Sequence, residues 1–81
     1  MTNVNQIVNG VYESPTIKST GTNVIQTDAT AMISVFVRVD EEADWIKTEN
    51  IRAGDILTEL NLYPGMLVKF SSIKPFRYGY L

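Results

Sequence analysis

Ala31-Met32-Ile33-Ser34-Val35-Phe36-Val37-Arg38-Val39 is the stretch that decides the fold. Ile33, Val35, Val37 and Val39 fall on one side of an extended segment, and Met32, Ser34, Phe36 and Arg38 on the other. Period-two alternation with β-branched residues in register predicts a strand whose aliphatic face is buried. Its other face carries Phe36 two residues from Arg38, a ring beside a guanidinium. Such a face either stacks a flat ligand such as a base or is covered by a partner subunit or another strand.

Working outward from this strand, Asn9-Gly10 is a turn dipeptide and VYES after it reads as a short strand. Pro15 cannot donate to a ladder, so this strand is an edge or is bulged at Ser14-Pro15. Residues 19–23 form a loop by composition, and Asn23 opens a second extended segment that bends at Thr27-Asp28. Asp40 to Asp44 is an acidic turn, and Trp45 to Thr48 a short strand after it. In NIRAGDILTELN (50–61), Asp55 either caps a short helix ILTEL, with Ile56, Leu57 and Leu60 toward the core, or closes a turn that opens a strand. The reading leans to the helix. After Pro64-Gly65, residues 66–73 alternate again, with Met66, Val68 and Phe70 inward and Leu67, Lys69 and Ser71 outward. FRYGYL makes a last strand after Pro75. Short strands, frequent turns and one short helix before the penultimate strand predict a mainly β chain forming one small domain over 1–81, a five-stranded OB-like barrel. An SH3-like barrel is the alternative if residues 54–60 are a strand.

At 81 residues, with 44% of them hydrophobic and no cysteine, a single core is marginal, so a homodimer or higher homo-oligomer is expected. The lack of cysteine and histidine removes thiol nucleophiles, thiolate zinc sites and the commonest general base. No apolar run reaches the length of a membrane span and no signal peptide is present, so the expected location is the cytoplasm, away from membranes. Asp40, Glu42 and Asp44 share the spacing of a calcium loop's first ligands, but Trp45 and Ile51 stand where that loop needs Gly and Glu. With no nucleophile, phosphate-binding or dinucleotide motif either, neither catalysis nor a metal nor any other cofactor is expected.

The net charge of −2 is unevenly spread: residues 1–39 are neutral, 40–59 carry −5 and 60–81 carry +3. The stretch 69–81 interleaves Lys69, Phe70, Lys74, Phe76, Arg77, Tyr78 and Tyr80 with no acid. Single-strand binders need cations to follow phosphates and rings to stack bases. The competing structural reading buries Phe70 and Phe76 in the core and packs Tyr78 and Tyr80 on a partner.

The stretch Ser71-Ser72-Ile73-Lys74, followed three residues on by Tyr78-Gly79 and Leu81 and preceded by Pro64-Gly65, resembles the closing hairpin of filamentous-phage single-stranded-DNA-binding proteins. Those are dimeric OB-type proteins that coat single strands, and the resemblance implies that Tyr78 takes the place of a base-stacking aromatic. Of that family's basic residues near the first hairpin, only Lys18 has a counterpart here, and this chain is acidic overall. The expected function is therefore non-sequence-specific binding of single-stranded DNA, or RNA, by a small phage- or plasmid-type protein. Its candidate contacts are Lys18, Phe36, Arg38, Lys69, Lys74, Arg77, Tyr78 and Tyr80. The alternative is a protein-interaction or assembly module, including an inhibitor whose acidic stretch mimics DNA.

Overall fold

The structure is a computed structural model and describes residues 1–48 and 50–80. Its strands in chain order are β1 (Thr2–Val4), β2 (Ile7–Val8), β3 (Val11–Glu13), β4 (Ile17–Lys18), β5 (Thr22–Gln26), β6 (Ala31–Arg38), β7 (Ile46–Lys47), β8 (Ile51–Ala53), β9 (Thr58–Asn61), β10 (Leu67–Ser72) and β11 (Phe76–Tyr80). The long alternating stretch is β6, and it sits inside a sheet ordered β2-β3-β10-β6-β7, with β4 also on β10 and β8 also on β6. A second antiparallel sheet has the order β1-β11-β5-β9.

The alternation does what it predicts. Ile33 and Val35 of β6 are fully buried, and β10 answers with Val68 and Phe70 across the ladder, where Phe70 pairs with Val35 and Val68 with Val37. The second sheet closes over them with Val4, Ile25 and Phe76, so both sheets share one apolar core. The radius of gyration, 11.7 Å, is that of a chain of this length folded as one body, about 12 Å. Val39 was expected on the buried side, but it lies past the end of β6 and is exposed, because the chain turns away there into the acidic loop.

Local chemistry sets the turns. Asn9 and Gly10 both have positive φ (52° and 84°) and join β2 to β3 in a two-residue loop, the geometry whose twist matches the flanking strands. The break at Pro15 is a bulge in which a side chain replaces a backbone partner. Ser14 N donates to Phe70 O at 2.8 Å, while Phe70 N donates to Ser14 Oγ at 2.9 Å. Beyond it β4 resumes the pairing, with Lys18 opposite Leu67.

The expected helix over ILTEL is corrected: the described residues contain no helix, and Thr58–Asn61 is strand β9, paired with β5 from Thr58↔Ile25 to Asn61↔Thr22. A five-residue helix forms too few hydrogen bonds to repay its nucleation, whereas β5 offers a free ladder edge. Ile56 and Leu57, which the helix would have buried, are exposed. Where five short strands closing into a barrel were expected, the described residues hold eleven, in two antiparallel sheets that do not close on each other, since Pro15, turns and slips in register cut the chain into shorter segments. Leu81, the last residue of the expected final strand and of the resemblance, and Glu49 of the acidic stretch lie outside the described residues.

Candidate nucleic-acid interface

Residues directly opposite in an antiparallel ladder point to the same face. The outer face of the β6-centred sheet can therefore be laid out row by row. Lys18, Leu67 and Arg38 form one row across β4, β10 and β6. Lys69, Phe36 and Lys47 form the next across β10, β6 and β7. Glu13, Ser71 and Ser34 follow, and then Met32 beside Arg52 of β8. All five cations in the strands of this sheet thus share one face, out of seven Lys and Arg in the whole chain. Among the described residues Glu13 is the only acid in those strands.

Lys47 and Arg52 reach the same side through a slip in register. From Phe36 to Ile33, β6 advances three residues, while their partners Lys47 and Ile51 are four apart. The extra residue is a bulge in the β7–β8 edge. Thr48 anchors it, its N donating to Val35 O at 2.8 Å and its hydroxyl to the same oxygen at 3.1 Å.

At the centre of the face the rings and cations are stacked together. The Arg38 guanidinium lies 4.5 Å from the centroid of Trp45. Lys69 Nζ lies 4.8 Å from Trp45 and 5.5 Å from Phe36, and 3.1 Å from Glu13 Oε1. Each of these rings is half-buried, as is Arg38, whereas Lys18, Lys47 and Arg52 stand in solvent. Arg38 Nε is buried with no hydrogen-bond partner, and one terminal nitrogen of Arg38 donates to Glu41 O at 3.4 Å. The acidic loop is itself built on Asp40, whose Oδ1 accepts from Glu42 N and Ala43 N at 2.9 Å. Among the described residues no three acids converge to hold a metal ion.

Of the residues singled out in the sequence, the fold brings Lys18, Phe36, Arg38 and Lys69 onto this one face. Lys74 sits at its margin, sharing a shallow groove with Met32, Ser34 and Arg52 and donating from Nζ to Thr30 O at 3.3 Å. Arg77, Tyr78 and Tyr80 go to the other sheet on β11. Arg77 is held there by Gln26 and Asp28, each at 2.8 Å. Tyr78 is half-buried against the core, 6.2 Å from the ring of Phe70, and Tyr80 is exposed.

Sequence reasoning passed over Trp45, Lys47 and Arg52. The spacing of Trp45 and Lys47, two apart on a predicted strand, was the signal for the first pair. Nothing in the spacing marks Arg52, because the bulge alone sets its side. No helix among the described residues is long and apolar enough to cross a membrane. Compared with known protein families, curated proteins and solved structures, the chain has no match.

Proposed function

We propose that this protein is a cytoplasmic, non-catalytic binder of single-stranded nucleic acid, DNA in the first place. The observation that carries the reading is the face on which Lys18, Arg38, Lys47, Arg52 and Lys69 surround Phe36 and Trp45. Cations spread over several rows neutralise phosphates along a strand, and half-buried rings and the Arg38 plane offer π-surface to unstacked bases. None of this reads a base edge, so the binding is sequence-tolerant.

The test is fluorescence-anisotropy titration of labelled oligo(dT), with oligo(U) and a duplex of equal length alongside, while the emission of Trp45, the sole tryptophan, is followed. Salt-sensitive binding to the single strand with quenching of Trp45 supports the reading. No binding at low salt with high micromolar protein sinks it. The response to oligo(U) shows whether the sugar matters.

A second reading rests on a different surface. Met1, Ile17, Leu57, Tyr78 and Tyr80 line a groove of about 690 Å³ away from the cationic face, and Leu57 and Tyr80 are exposed. In this reading the groove is the contact of an assembly module that forms a homodimer or higher homo-oligomer. Sedimentation of the protein and of Tyr80→Ala tests it: the reading needs an oligomer that the substitution weakens. The two surfaces do not overlap, so both properties can hold together.

A further inference from the structure

Among the described residues Glu13 is the one acid that the strands of this sheet set among the five cations. Its carboxylate holds Lys69 Nζ at 3.1 Å, and in that position the ammonium lies over both Phe36 and Trp45. The side chains of Lys69 and Glu13 are only 24% and 25% exposed, so the pair is largely withdrawn from solvent, with the ammonium over the rings. A base stacking on Phe36 competes with this ammonium, and one stacking on Trp45 competes with it and with the Arg38 guanidinium at 4.5 Å.

We infer that Glu13 and Lys69 form a retractable cover over the base-stacking rings. In the free protein Glu13 keeps Lys69 on the rings. When a single strand arrives, a phosphate takes Lys69 from Glu13, the lysine swings off, and bases reach Phe36 and the part of Trp45 that Arg38 does not cover. The exchange keeps two half-buried aromatic rings from standing bare between binding events, and it makes ring exposure depend on a phosphate being present. Glu13 is thereby a regulatory residue that lowers affinity. This inference rests on the single-strand reading of the same face.

The experiment compares the wild type with Glu13→Gln, Lys69→Ala and, as a control for net charge, Glu59→Gln, whose exposed side chain lies on β9 of the other sheet. Each is titrated with labelled oligo(dT) at one moderate salt, and the Trp45 emission of each free protein is recorded. Glu13→Gln is expected to bind about two- to fivefold tighter than both the wild type and Glu59→Gln, the ratio an ion pair of this exposure is worth. The free-protein emission of Glu13→Gln and Lys69→Ala is expected to shift in the same direction, since both uncover the indole. Lys69→Ala, which loses a phosphate contact, is expected to gain no affinity. If the wild type binds but Glu13→Gln binds no tighter than Glu59→Gln, the cover is overturned and single-strand binding stands. If both substitutions leave the emission of the free protein unchanged, the cover is likewise overturned. If the wild type does not bind at all, the single-strand reading fails and the cover fails with it.

Discussion

Counterion release gives the cationic face a number that can be checked. Each phosphate neutralised on a single strand contributes about −0.7 to the slope of log affinity against log salt. If the five cations of the face each meet a phosphate, the slope is about −3.5, and affinity falls about a hundredfold between about 50 and about 200 mM salt. Lys47 and Arg52 lie on the β7–β8 edge, exposed and outside the core, so Lys47→Ala with Arg52→Ala removes two contacts and leaves the sheet intact. The double variant should show a slope near −2.1 and lose only about twentyfold over the same salt range. Arg77→Ala is the matched comparison, because Arg77 sits on the other sheet, engaged by Gln26 and Asp28. Its slope should stay near that of the wild type. The assay is anisotropy of labelled oligo(dT) at several salt concentrations, with circular dichroism to verify folding. A double variant that keeps the full slope, or an Arg77→Ala variant that loses slope instead, would refute the assignment of the binding face.

Three further outcomes concern the scaffold and are read from urea or thermal melts. Ile33→Ala opens a cavity at a fully buried site on β6 and should cost about 2–5 kcal/mol, a large share of the stability of so small a domain; a loss under about 1 kcal/mol would mean that β6 does not carry the core. Ser14→Ala strips the acceptor from Phe70 N at the buried bulge and should cost about 1–3 kcal/mol, with Ser14→Thr, which retains the hydroxyl, costing less. Gly10→Val forces a β-branched residue to a φ of 84° and should cost about 1–2 kcal/mol, while valine at the neighbouring exposed Gln6, outside the turn, should be near neutral.

How far the sequence could be read follows from which features are local. Strands β6 and β10 were legible because alternation over six to eight residues is a long signal, and their core faces came out as expected. The Asn9-Gly10 turn and the bulge at Ser14-Pro15 were legible because a few residues determine them. Residues 56–60 were misread because a carboxylate at Asp55 and three apolar residues at near-helical spacing mimic a capped helix. What decides the matter is the open edge of β5, about thirty-five residues away, which local spacing does not reveal. The candidate site divides in the same way. Phe36 with Arg38 was visible within one strand, and Lys69 within another, but their meeting with Trp45 depends on the pairing of β10, β6 and β7. Tyr78 and Tyr80 looked continuous with Lys69 in the chain, and a turn at Ser72–Pro75 sends them to the other sheet.

The slip in register between β7 and β8 is what brings Lys47 and Arg52, five residues apart, to one face, since strict alternation would set them on opposite faces. Removing one residue between Lys47 and Ile51 would leave the two cations four apart, on one face by plain alternation, with Ile51 still opposite Ile33. Adding one residue there would call for a wider bulge, or else turn Arg52 toward the core and Ile51 toward solvent. The cationic face is thus buffered on this edge against a shorter chain and exposed to a longer one.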